Sequence, residues 1–360
     1  MKNSTILNST KNNQLSYIFL ILLVSMLPNF LQAQDYRYIN AYMDDFGKNE
    51  MFVKKSLMDY SVTIVDSQID TRSKATSGKI VDKLVNMNLI MKNTNKGFEN
   101  NTLLRDSFIK MNEKTIECLK NGSLILDDYD YQSMLSFSEI NANMSRKEKD
   151  MAGYYQEIKN YDANKKAFGM QYNVSFKVNA GKNVLEYNGF QNILFYKINV
   201  IDQKLTALIA AKDKAGFAEC FKNIDALHLE AISRTKQYKD NFKDNSMNDA
   251  NMKYSNFIFG QKEKLFTLFN DFVDEYAILL ALKNSTKPQT PAFIAAYNQQ
   301  ARIYNAKKNL FYDVLNPIQV TKKAMYNSWF VTNSKFLQNN SEFENIHDKY
   351  TTTDTKVAVR

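Results

Sequence analysis

The sequence predicts an all-α protein made of two tandem, related antiparallel helical bundles. Three observations carry this. First, the 360 residues include 10 Gly and 4 Pro, about 4% together where ordinary usage is near 12%. Chains of many short strands need frequent turns, so this scarcity favours long helices and few loops. Second, apolar residues recur at three and four positions. In "FVKKSLMDYSVTIVDSQI" the set Phe52, Val53, Leu57, Tyr60, Ile64 and Val65 lines one helical stripe. Third, "AGYYQEIKNYDANKKAF" (152–168) and "AAYNQQARIYNAKKNLF" (295–311) share seven of 17 residues at an offset of 143.

Residues 1–33 read as a secretory signal peptide. Lys2 and Lys11 precede the apolar run Tyr17–Leu27, Pro28 breaks it, and Ala33 supplies a small residue at the expected cut. An 11-residue run is too short to span about 30 Å of hydrocarbon. Its removal from the 360 leaves 327 residues with 45 basic and 38 acidic side chains. No later stretch is apolar enough to suggest a transmembrane segment. The first bundle is assigned to residues 34–172, with helices at Ile39–Asp70, Lys79–Lys96, Thr102–Lys120 and Ser145–Tyr172. "TRSKATSG" separates the first two helices. Ser145-Arg-Lys-Glu148 has the form of a capping box, in which Ser and Glu satisfy free first-turn N–H groups. A short extra helix is expected after "NGSLILDDYDYQS".

Residues 173–183 form the linker, where alternation of Val174, Phe176 and Val178 permits a short strand. The second bundle covers 184–338. Its helices are expected at Lys182–Lys212, Lys214–Asp240, Asn248–Lys283 and Pro291–Leu315. Thr290-Pro291 fits an N-cap followed by proline at the first helical position. Asn316-Pro317 is expected to end that helix, since proline cannot donate its N–H. Residues 339–360 read as a polar C-terminal tail.

The repeat has a second component. "NKGFENNTL" (95–103) resembles "KDNFKDNSM" (239–247) at an offset of 144. Each follows the second helix of its half, which favours internal duplication of a domain-sized unit. On the matched helix, Tyr154, Tyr161 and Lys165 fall on one face, and Tyr297, Tyr304 and Lys308 repeat the pattern. Such a stripe reads as bundle core with the lysine reaching toward water. The functional alternative is an aromatic groove in which these six residues contact a ligand.

No nucleotide-binding, zinc-protease or serine-hydrolase motif occurs. Histidine is limited to His228 and His347, and Glu344-x-x-His347 stands alone, whereas a di-iron bundle needs two such motifs. Asp127, Asp128 and Asp130 lack the glycine and distal glutamate of a calcium loop, and suit a helix start. No catalytic, cofactor-binding or metal-ligating residue is therefore assigned, and no cofactor is implied. Cys118 and Cys220 suit buried free thiols, with one bridge left open. Basic and acidic residues are interspersed, so nucleic acid is not an expected partner.

Two segments carry a family resemblance: "YKDNFKDNSMNDANMKYSNFIFGQKEKLFTLFNDF" from Tyr238 and "AYNQQARIYNAKKN" from Ala296. They resemble the YiiG-like family of all-helical bacterial envelope lipoproteins. That resemblance implies an envelope location and no particular reaction. The chain departs from the family in lacking a lipid-bearing cysteine after the apolar run. The expected role is binding or scaffolding by an exported, non-catalytic protein, in the periplasm, at the outer membrane or outside the cell. Its envelope or surface partner and its oligomeric state are undetermined. The alternative is a small-ligand binder or enzyme with its site between the bundles.

Overall fold

The computed structural model describes residues 36–67, 72–124, 126, 128–176, 184–239, 244–340 and 350–352. The proposed signal segment lies outside them, as do Asp127, Val178, Glu344 and His347. The described chain is all-α apart from one pair of three-residue strands. Its first part contains α1 (Ile39–Ser67), α2 (Arg72–Thr94), α3 (Leu103–Lys120), the short α4 (Tyr129–Met134) and α5 (Phe137–Tyr172). After β1 (Val174–Phe176) come α6 (Val184–Ala211), α7 (Lys214–Tyr238), α8 (Ser246–Lys283) and α9 (Pro291–Asn340). β2 (Tyr350–Thr352) then pairs antiparallel with β1, bringing part of the expected tail back to the first bundle.

Helices α1, α2, α3 and α5 run up, down, up and down. The order follows from the side chains that meet: Phe52 with Lys83, Asn88 with Asn112, Phe108 with Tyr161, and Glu50 with Lys165. Helices α6 to α9 follow in the second half. Cys220 meets Ile201, Phe217 stacks on Phe269, and Tyr276 faces Tyr304.

Helix α6 touches helices of both halves. Its stretch "VLEYNGFQNILFYKINVID" is buried at nearly every position, so it is enclosed on all sides instead of lying at a surface. It packs against α4 and α5 of the first bundle and against α7, α8 and α9 of its own. No helix among the described residues is long and apolar enough to cross a membrane.

Three helix boundaries differ from the sequence reading. Helix α2 begins at Arg72, so most of "TRSKATSG" is helical. Helix α5 begins at Phe137, and its capping box is Ser136 with Glu139. Ser145 lies inside that helix, and Glu148 pairs across the bundle interface instead of capping. Helix α9 runs through Pro317 to Asn340. An internal proline costs about 3 kcal/mol. Burial of Trp329, Phe330, Phe336 and Leu337 beyond it offsets that, at about 1.5–3 kcal/mol per large apolar side chain. The start of α9 is as expected, with Phe293 N–H donating to Thr290 Oγ1 at 3.2 Å.

Candidate functional site

The six stripe residues separate into two environments. On α1, Met43, Phe46, Glu50, Val53 and Leu57 recur at helical spacing, so a carboxylate interrupts an apolar stripe. On α5, Tyr161 and Lys165 face it. Lys165 Nζ lies 2.6 and 2.7 Å from the two Glu50 oxygens. Tyr161 Oη donates to Glu50 Oε1. Lys165 and Glu50 are each 1% exposed. Phe176 of β1 closes the site, its ring centroid 4.7 Å from Lys165 Nζ. Burial, and then the Glu50 charge, push the Tyr161 phenol well above its ordinary pKa. Lys165 is therefore a buried ion-pair partner and does not snorkel to water.

The matching residues Tyr297, Tyr304 and Lys308 are half-buried on α9. Tyr304 packs on Tyr276, its ring centroid 5.6 Å away. Lys212, at the end of α6, lies over the other partner, Tyr276. Tyr154 instead lines a cavity with Leu185 and Asn188, at the start of α6. The two sets thus sit near opposite ends of α6, about 35 Å apart at 1.5 Å per residue. The six residues do not form one groove. The second half has a charge pair in a different register: Lys322 Nζ on α9, partly exposed, lies 2.5 Å from the buried Asp202 Oδ2 on α6.

The contact between bundles is close-packed. A Cβ added at Gly189 of α6 would come within 2.5 Å of Tyr155 Oη and 2.9 Å of Met151 Cε on α5. Tyr155 Oη donates to Leu185 O at 2.7 Å. A cavity of about 50 Å³ remains beside them, far below the several hundred Å³ usual for an organic ligand. Asn188 and Asn192 form part of its wall. They close a ring with Asn333, in which Asn188 donates to Asn333 at 2.6 Å, Asn333 to Asn192 at 2.7 Å, and Asn192 to Asn188 at 2.9 Å. Beneath, Trp329 Nε1 donates to Asn251 Oδ1 at 2.7 Å, and Asn251 Nδ2 to Gln191 Oε1 at 2.5 Å.

Charged groups also cross the interface. Lys197 of α6 pairs with Glu148 of α5 at 2.7 Å and Glu230 of α7 at 2.9 Å, and Arg234 pairs with both carboxylates. Tyr196 donates to Asp128 at 2.6 Å, and Lys204 donates to Ser133 O and Leu135 O. Asp128 sits at the start of α4.

The remaining chemical candidates are held by packing. His228 Nδ1 lies 3.0 Å from Ser255 Oγ, but Ser255 is buried on α8 and the His228 ring stacks on Phe259. Cys118 on α3 and Cys220 on α7 are buried free thiols. Burial pushes Cys118 up to about 11 and Cys220 higher still. Among the described residues, no group of three His, Cys, Asp or Glu is placed to hold a metal ion. A groove of about 210 Å³ between α8 and α9 is bordered by Lys253, Thr321 and Ser328 and floored by Tyr254 and Trp329.

One region is built differently. The turn from α6 to α7 ends its bundle near Asp274, where Lys214 Nζ lies 2.7 Å from Asp274 Oδ1. Helices α8 and α9 continue past it, pairing with each other. Asp274–Lys283 extends about 15 Å beyond that turn, at 1.5 Å per residue. This two-helix arm exposes Ile278 (49%), Leu280 (38%) and Ile294 (46%).

Comparison with protein-family models, with curated proteins and with solved structures gives no match. The fold and its geometry are therefore the basis for assigning a role.

Proposed function

We propose that the chain is an exported, non-catalytic helical protein with a binding or scaffolding role in the bacterial envelope or at the cell surface. The α8–α9 arm carries this reading. A protein enclosed around α6 holds a two-helix projection, with apolar side chains at its surface, in a fixed position. Ile278, Leu280 and Ile294 give this arm exposed apolar side chains that a partner would cover. The buried ion pairs and the filled contact between bundles favour rigidity over a ligand-binding cleft. The basic, apolar, small-residue order of residues 1–33 supports export, and the resemblance to YiiG-like envelope proteins suggests the same setting. Fractionation of a Gram-negative host expressing the full chain tests this. The reading expects a processed protein beginning at Gln34 outside the cytoplasm. An unprocessed cytoplasmic protein would contradict it.

We also infer that the two bundles derive from a duplication. Both have the same up–down–up–down order. Both place a buried acid on the first helix against a lysine on the fourth. The similar segments at 95–103 and 239–247 both connect the second helix to the third. A relative with a single bundle, similar to both halves, is the expected finding. Single-bundle relatives similar to one half and not the other would count against it.

A further inference from the structure

We propose that β2 is a detachable strap that closes the first bundle over its buried charge pair. The device goes beyond the envelope-binding reading and does not depend on it. Glu50 of α1 and Lys165 of α5 are each 1% exposed. Part of that cover comes from β1, whose Phe176 ring lies over Lys165 Nζ.

The seat for β1 is built into the end of α5. Asn173 caps the helix in the left-handed region, at φ 54°, and donates its N–H to Gly169 O. A Cβ added at Gly169 would come within 2.5 Å of Val174 O and 2.7 Å of the Phe176 ring. Glycine at that position therefore lets β1 lie directly on the helix. Val174 is buried there, and Phe176 is half-buried.

Besides α5, β1 packs chiefly on β2. The strands pair antiparallel, with Val174 opposite Thr352, Ser175 opposite Thr351, and Phe176 opposite Tyr350. β2 follows α9, so a segment from beyond the second half completes the cover of a site in the first. A two-stranded pairing is marginal by itself. Segments with few partners open at low free-energy cost while the rest of the fold persists. Release of β2 frees β1 and Phe176, and water then reaches Lys165 and Glu50, whose charges are costly to keep dry. The strap thus sets the access of water to the pair that joins α1 to α5.

Pulsed amine labelling of the full chain, read by mass spectrometry, tests the proposal. Lys165 is the reporter. Lys147 is the control: it is 4% exposed, bonded to Gly122 O at 2.7 Å, and about 27 Å away along α5 at 1.5 Å per residue. Tyr350→Pro/Thr351→Pro/Thr352→Pro removes the N–H donors of β2. Lys165 should then label about tenfold faster, the effect of losing one or two hydrogen bonds, while Lys147 keeps its rate. Ser175→Cys/Thr351→Cys places two thiols at opposed positions, where directly opposed strand residues have a Cα separation that suits a disulfide. Oxidation of this variant should slow Lys165 labelling below that of the parent chain, and reduction should restore it.

The proposal is overturned if Lys165 labels equally in the parent and the proline variant, or if Lys165 and Lys147 accelerate together, which is opening of the whole bundle. It is also overturned if Lys165 never labels in the parent chain, or labels no more slowly once the strap is tied. Failure of the disulfide to form under oxidising conditions would contradict the strand pairing itself.

Discussion

Lys165 Nζ lies 2.6 Å from Glu50 Oε1, joining the fourth helix of the first bundle to its first helix in a site closed to water. Tyr161 donates to the same carboxylate. Removal of either charge strands the other, whereas removal of both need not destabilise. Taking two ions out of water costs several kcal/mol per ion, and their attraction offsets this only when the geometry is good.

Single substitutions Lys165→Met and Glu50→Leu should therefore each destabilise by about 3–5 kcal/mol. The double variant should recover most of that loss. Chemical denaturation of the four proteins forms a double-mutant cycle. Additive losses would show that the charges act independently.

Gly189 and Gly260 provide a contrasting pair. A Cβ at Gly189 collides with Tyr155 and Met151, while a Cβ at Gly260 meets nothing within 4 Å. Gly189→Ala should destabilise by about 1–3 kcal/mol through overpacking between bundles. Gly260→Ala, in the interior of α8, should stabilise by about 0.5–1 kcal/mol. Thermal melts of both variants check the signs.

Stability should fall in alkali. Tyr155, Tyr161 and Tyr254 are raised well above 10.0, chiefly by burial, and Cys118 is raised to about 11. A raised folded pKa keeps the proton on the folded chain after the unfolded chain has lost it. Stability is thus fully present below the unfolded values and is lost as pH rises past them. Denaturation curves should agree from pH 7 to about 8, weaken slightly near pH 9 from the thiols, and weaken further above pH 10, by up to about 4 kcal/mol per pH unit from the three phenols. A rise in stability above pH 10 would contradict these burials.

Cys118 and Cys220 should be unreactive in the folded protein. Both are buried and their thiolates are suppressed, and the thiolate is the reactive form. A thiol reagent should titrate fewer than one group in buffer and two in denaturant. One disulfide by mass, and no thiols in denaturant, would contradict the free state of both.

The all-helical class was legible because apolar spacing and scarce glycine and proline act locally. The Thr290-Pro291 start of α9 was legible for the same reason, as was β1. Pro317 misled, because its local cost is exceeded by distant packing of Trp329 and Phe336. The core reading of the stripe was legible at Tyr154, Tyr161 and Phe168, but the expected reach of Lys165 to water was misread. Identity at an offset of 143 compares sequence, while burial depends on which helices stand opposite. Lys165 faces α1, and Lys308 lies near the base of a two-helix arm. Glu50 could have been found, since a carboxylate within the Met43–Leu57 apolar stripe calls for a buried cation. The Asn188–Asn192–Asn333 ring left no such signal, because asparagine on a helix usually reads as a solvated residue.

Helix α6 contacts α4 and α5 of the first half and α7, α8 and α9 of the second, so the helices should melt as one body. Differential scanning calorimetry tests it most directly. One transition is expected, with equal calorimetric and van't Hoff enthalpies. Gly189→Ala should shift that transition as a whole. Two resolved transitions, of which the variant moves only one, would show that the two halves unfold independently and contradict a single body around α6.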